Sequence, residues 1–139
     1  MNSQIITVAA DGSLASHRAF AWAIEEASQR RCGVEVVIAY RRLAEQNDDV
    51  ARAGAEETAL ATVDNADVPR GDVTSVSWHV VEGEPVDVLV RASAHSTLLV
   101  MGSHSVETIR HNALGSVTDT CARMSDCPVV VVGPAQQTQ

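Results

Sequence analysis

Hydrophobic and polar positions along this chain follow two alternating periods. Short runs of Val, Ile, Leu and Ala are typical of buried strands, whereas apolar residues three and four positions apart are typical of amphipathic helices. From 15 to 31 the helical spacing is clear, and Gly33 is expected to end that helix. The whole pattern predicts strands at 4–9, 34–40, 73–81, 97–101 and 129–132, and helices at 15–31, 48–65, 85–94 and from Ser116 onward.

This strict order of strand and helix, with short links, indicates one type of architecture. It predicts a parallel, right-handed, three-layer α/β fold, which we interpret as a single domain over residues 1–139. The segment 73–81 alternates more polar residues than the other strands, which places it at an edge of the sheet. Pro85 suits the first turn of the third helix.

The segment 99–117 carries the strongest candidate chemistry. An apolar strand ends in Gly102, a polar loop follows, and a helix begins at Gly115 and Ser116. Unpaired amide groups and the positive end of a helix dipole meet in such a loop, which is typical of a phosphate site. Ser116 and Asp119 have the spacing of a capping box with Asp in place of Glu. Alternatively, the glycines only turn the chain.

Four blocks of the chain, in order, resemble the universal stress protein family over nearly the whole length. They are VAADGSLAS, EGEPVDVLVRAS, the loop from Gly102, and CPVVVVG. The family's nucleotide motif is Gly, two residues, Gly, nine residues, Gly, then Ser or Thr. Gly102, Gly115 and Ser116 match it, and Ser105 stands where the family has its middle glycine.

The resemblance implies a Rossmann-like fold with five parallel strands in the order 3-2-1-4-5. The ligand crevice of such a sheet lies outside the carboxyl ends of strands one and four, with Asp11 and the glycine loop on opposite lips. By resemblance, Asp11 contacts the nucleoside, and the residues that end strand two, about Ile38, Ala39 and Tyr40, contact adenine. The candidate nucleotide-binding residues are Ala10, Asp11, Ala39, Tyr40, Met101, Gly102, Ser105, Gly115, Ser116 and Val117.

Two function classes follow from these residues. The first is a stress-response or signalling domain that binds ATP or another adenine nucleotide and acts as a homodimer. The second is a ligand-free dimeric interaction module of the same fold, because the Cβ of Ser105 resists the positive φ and close approach that a glycine allows. A flavin or electron-transfer domain has only fold-level analogy behind it. The homodimer is expected to form through the last strand, at Val129, Val130, Val131 and Val132.

The net charge argues against nucleic acid as a partner, and the cysteines indicate a reducing compartment. The formal charge is −8, lysine is absent and the ten arginines are scattered, so nucleic acid is not an expected partner. We expect no membrane association and a cytoplasmic location, because the chain shows no long apolar run and no charged leader. The three cysteines lack metal spacing and are expected to be reduced thiols that pack in the core.

Catalytic patterns do not stand out in this sequence. It has no Gly-x-Ser-x-Gly elbow, no Walker lysine and no Cys-x-x-Cys pair. The five histidines lack the spacing of a metal site, so no metal is implied. We therefore expect a binding protein and not an enzyme, with at most slow and incidental hydrolysis of ATP.

Overall fold

The computed structural model describes residues 4–41, 48–65, 67–103 and 116–133. Strands and helices alternate through these ranges, as the hydrophobic pattern predicts. The elements are β1 (Ile5–Ala9), α1 (Leu14–Arg30), β2 (Gly33–Tyr40), α2 (Asp48–Val63), β3 (Val76–Glu82), α3 (Pro85–Ser93), β4 (Leu98–Gly102), α4 (Ser116–Met124) and β5 (Val129–Val132).

The five strands form one parallel sheet in the order β3-β2-β1-β4-β5. Both the three-layer α/β prediction and the strand order implied by the resemblance are thereby confirmed. Helices α1 and α2 cover one face of the sheet around the fully buried Phe20. Helices α3 and α4 cover the other face, where Leu89 and Cys121 pack against Leu99 and Met101. Each face thus has its own apolar core.

Side chains of the β1–α1 turn fix the start of α1. The Ser13 hydroxyl accepts a hydrogen bond from the Ser16 N–H at 3.1 Å, and the Ser16 hydroxyl donates to the Ser13 carbonyl at 3.0 Å. Such a cap satisfies amide groups that the first helical turn leaves unpaired. Gly12 precedes the cap with a φ of 84°, a conformation that favours glycine.

The end of α1 differs from the prediction. Arg31, and not Gly33, takes the left-handed position that ends the helix, with a φ of 54°. Gly33 is instead the first residue of β2. A Cβ there would lie 2.6 Å from the Ser75 hydroxyl oxygen, so glycine leaves room for this side chain of the segment that leads into β3.

The third strand lies at an edge of the sheet, as its polar pattern predicts. It begins at Val76, three residues later than expected. Residues 73–75 are still tied to the neighbouring strand, because the Thr74 N–H donates to the Cys32 carbonyl and the Val34 N–H donates to the Ser75 carbonyl. None of the helices in the described ranges is both long and apolar enough to cross a membrane.

Candidate functional site

A cleft of about 200 Å³ opens at the carboxyl edge of the sheet, between the ends of β1 and β4. At this point the strand order changes direction, which is where parallel α/β sheets place their ligands. The described residues that line it are Ala9, Ala10, Asp11, Ser13, Ser16, Val37, Ala39, Pro85, Leu89, Met101, Gly102, Val117 and Thr118. The lips that the sequence places opposite each other, Asp11 and Gly102, do meet in one cleft.

Three helices begin at this cleft. Residues of the first turn or cap of α1, α3 and α4 are among the lining residues, including Ser13, Pro85 and Thr118. In a parallel α/β fold each helix follows the carboxyl end of a strand, so the helix N-termini gather at one edge. Each N-terminus carries about half a positive charge. The cleft is thereby suited to an anionic group, although the whole chain is acidic.

Asp11 has a structural task on one lip of the cleft. Its Oδ1 accepts a hydrogen bond from the Ser13 N–H at 2.9 Å, which forms a turn before α1. Its side chain is exposed at the mouth of the cleft. The turn orients the carboxylate without burying it, so Asp11 both shapes this lip and presents a charged group to a ligand.

Gly102 on the opposite lip allows β4 to approach α1 very closely. A Cβ at this position would lie 2.2 Å from the Ala15 carbonyl oxygen and 2.9 Å from the Ala15 Cβ. The nearest of these atoms belongs to the backbone and the Cβ of alanine has no rotamer to change, so neither contact can relax by rotating a side chain. Gly102 is therefore required for packing at the cleft. From the sequence, this glycine was interpreted only as part of a turn or of a phosphate site.

The floor of the cleft is apolar and comes from alternate residues of the strands. Val37 and Ala39 of β2 face the cleft together with Met101 of β4. Cys121 packs beneath them, and burial raises the pKa of its thiol, so this side chain stays protonated and apolar in character at neutral pH.

The pleat of β2 separates the three residues that were expected near adenine. Ala39 lines the cleft, whereas Ile38 and Tyr40 project into or pack against the core beneath α1 and α2. Side chains of adjacent strand residues point to opposite faces. The structure therefore does not bring Tyr40 into the cleft. Its side chain instead packs against the edge of the apolar core.

Thr118 is a cleft residue that sequence reasoning missed. Its side chain is nearly buried, at 6% exposure, yet it lines the cleft on the first turn of α4. Its hydroxyl takes part in none of the hydrogen bonds within the described ranges, and its oxygen is not one of the fully buried polar atoms there that lack a partner. The hydroxyl can therefore reach a ligand in the cleft. The available signal was its place on the first turn of the helix, two residues after Ser116, the last position of the motif.

The remaining predicted residues divide into two groups. Ala10, Met101 and Val117 line the cleft together with those named above. Ser105 and Gly115 lie outside the described residues, as does the Ser116 side chain, so the capping box lies there too. Ser116 is the first residue of α4, as predicted, and Asp119 forms an ion pair with Arg123.

Within the described residues, no group of three or more His, Cys, Asp or Glu side chains has a geometry that could hold a metal ion.

Comparison with known proteins gives one consistent result. The model of the universal stress protein family matches residues 2–133. A universal stress protein of Mycobacterium tuberculosis (strain ATCC 25618 / H37Rv) is 30% identical over 136 residues, which is 93% of this chain and 48% of the relative. The chain thus spans about half the length of the curated relatives it matches.

Two solved structures extend the comparison to the fold. A universal stress protein in complex with cAMP superposes with a TM-score of 0.76 at 27% identity, covering 95% of this chain and 98% of that one. The universal stress protein from Archaeoglobus fulgidus in complex with dAMP gives a TM-score of 0.72 at 26% identity, covering 95% and 99%.

Proposed function

Because the chain belongs to the universal stress protein family, we propose that its cleft binds an adenine nucleotide and that the protein acts in a stress response through this binding. The observation that carries the proposal is the cleft itself, where three helix N-termini and the Thr118 hydroxyl meet at the switch point of the sheet. Similar structures hold cAMP and dAMP, which supports an adenine nucleotide as the ligand class.

In this proposal the two ends of the cleft take different parts of the nucleotide. The apolar floor at Val37, Ala39 and Met101 accommodates the base, and Asp11 contacts the nucleoside. The phosphate lies towards the first turn of α4, where amide groups and the helix dipole favour an anion. Gly115 matches the phosphate motif of the family, and Ser105 stands in place of its middle glycine.

Calorimetric titration tests the ligand class. We expect ATP, AMP or cyclic AMP to bind the purified protein, and GTP to serve as the control for the base. Native mass spectrometry of freshly purified protein provides a second measurement, since a retained adenine nucleotide adds a defined mass. If no adenine nucleotide binds and the protein stays free of ligand through several preparations, the ligand-free interaction module replaces this proposal.

Bound ATP is expected to be hydrolysed slowly or not at all. We expect binding without efficient turnover, because none of the motif positions Gly102, Ser105, Gly115 and Ser116 offers a general base or a carboxylate that could hold a metal. A phosphate-release assay run beside the titration measures this. Robust multiple turnover of ATP would show that the protein is an enzyme.

We further propose that two copies of the chain pair through β5. This edge strand consists of four consecutive valines, all half-buried. An edge strand leaves backbone groups unpaired and is a natural site for pairing with a second chain. Val131→Asp is expected to give monomers in sedimentation experiments, whereas Val81→Asp on the opposite edge strand leaves the dimer intact. Wild-type protein that stays monomeric at about 50 μM contradicts the dimer.

A further inference from the structure

An ion pair joins the two elements that form one wall of the cleft. Arg41 follows directly after β2, and its Nη1 lies 3.0 Å from the Oε1 of Glu84, the residue just before α3. Two positions before Arg41, Ala39 lines the cleft, and directly after Glu84, Pro85 lines it. The pair therefore bridges the cleft wall at the junction of β2 and α3.

Glu84 occupies the N-cap position of α3 but does not cap it. Its side chain makes no capping hydrogen bond and turns to Arg41 instead. Ser, Thr, Asp or Asn at an N-cap normally accept a hydrogen bond from the first turn. The carboxylate at this position thus ties the helix to a neighbouring strand and leaves the helix end without a side-chain cap.

Backbone contacts make the same junction tight. The Gly83 N–H donates to the Tyr40 carbonyl at 2.9 Å, and the Val88 N–H donates to the Glu84 carbonyl at 3.0 Å. Gly83 has a φ of 153°, and a Cβ there would lie 3.1 Å from a Val88 methyl carbon. The chain therefore enters α3 through a sharp turn whose position depends on β2.

From these contacts we infer that Arg41 and Glu84 are positioning residues that hold the first turn of α3 against the end of β2 and so set the nucleotide affinity of the cleft. This inference rests on the proposed function. Pro85 and Leu89 of α3 line the cleft next to Val37 and Ala39 of β2. When α3 moves outward, a bound ligand loses its contacts with α3 and affinity falls.

The exposure of the pair limits the size of the effect and gives it a signature. The side chains are 65% and 59% exposed, and such pairs are weak and screened by salt. We expect Glu84→Gln to raise the Kd for AMP about threefold to fivefold in low salt. Because salt also screens repulsion between AMP and an acidic protein, the wild type and the variant are compared at each salt concentration.

Calorimetry with AMP at about 20 mM and about 500 mM NaCl provides the test. The inference predicts that the difference between wild type and Glu84→Gln disappears in high salt, and that the exchanged pair Arg41→Glu with Glu84→Arg restores the wild-type Kd. Glu26→Gln is the matched control, since it removes the Glu26–Arg30 pair on α1, away from the cleft. Equal affinities in low salt, or a loss that the exchanged pair does not restore, overturn the inference.

Hydrogen exchange separates this inference from the proposed function. In the absence of nucleotide, Glu84→Gln is expected to speed exchange at the Gly83 and Val88 amides and to leave the amides of α1 unchanged. If wild-type protein binds no adenine nucleotide, both the proposed function and the claim about nucleotide affinity fail. Amide hydrogen exchange still decides whether the Arg41–Glu84 pair holds α3 in place. Unchanged exchange at both amides overturns the positioning role.

Discussion

Two clusters of polar side chains lie on the same sheet and are built in opposite ways. Away from the cleft, Glu35 of β2 is the centre of a closed network. Its carboxylate accepts from Thr7 at 3.1 Å and contacts the Nε2 atoms of His79 at 3.1 Å and His95 at 3.0 Å. Thr7 is in turn 2.5 Å from the Ser96 hydroxyl. The hydroxyl and carboxylate oxygens of this network each have a protein partner.

The cleft leaves part of its hydrogen-bonding capacity unused. Ser13 and Ser16 bind one another, but the Thr118 hydroxyl takes part in none of the hydrogen bonds between described residues. In the Glu35 network the carboxylate, which is only 13% exposed, is held by partners within the protein, whereas the Thr118 hydroxyl at the cleft has no partner among the described residues and is available to a ligand. The comparison indicates that the Glu35 network serves stability and the cleft serves binding.

The largest effect is expected at Gly102. Gly102→Ala places a Cβ against the Ala15 backbone, so β4 and α1 must separate. We expect a loss of about 3 kcal/mol in the free energy of unfolding, measured by denaturant titration, together with loss of AMP binding. A variant with wild-type stability and affinity would show that the close packing of β4 against α1 at Gly102 does not hold the lips of the cleft in place.

Glu35→Gln tests the closed network. The substitution keeps the shape but removes the charge of a carboxylate whose side chain is only 13% exposed. We expect the free energy of unfolding to fall by about 1–2 kcal/mol, while the Kd for AMP stays within about 1.5-fold of wild type. Glu56→Gln, at an exposed pair on α2, is the control and should change stability little. A large change in AMP affinity would contradict the conclusion that the Glu35 network serves stability and the cleft serves binding.

Thr118→Val tests the cleft with a change of one hydroxyl to one methyl. We expect about fivefold weaker AMP binding, which corresponds to roughly 1 kcal/mol, and an almost unchanged free energy of unfolding. Thr62→Val is the control, because Thr62 is equally buried in α2 but donates to the Thr58 carbonyl at 2.9 Å. The control should lose stability and keep its affinity, and the reverse outcome would assign Thr118 to packing alone.

The smallest effect is expected at Gly54, which lies outside both clusters. A Cβ at this α2 position meets nothing within 4 Å. Gly54→Ala should raise the free energy of unfolding by about 0.5–1 kcal/mol, since alanine loses less backbone entropy in a helix. Thermal unfolding measures the gain, and AMP affinity is expected to stay the same. Lower stability would indicate that α2 needs a residue without a side chain at position 54.

The sequence by itself determined the elements and their order, because hydrophobic periodicity and turn residues are local properties. The bounds of β5 and the start of α4 were predicted to the residue. The meeting of Asp11 and Gly102 followed from the strand order that the family resemblance implies, since this order decides which loops share an edge of the sheet.

Tertiary structure decided which side chains face the cleft and why particular residues are needed. The pleat of β2 separated Ala39 from Tyr40, and a shift of one residue in register would exchange them. The need for glycine at Gly102 depends on Ala15, which lies 87 positions earlier in the chain. Such contacts join distant residues through the packing of helices on the sheet, and no local pattern in the sequence records them.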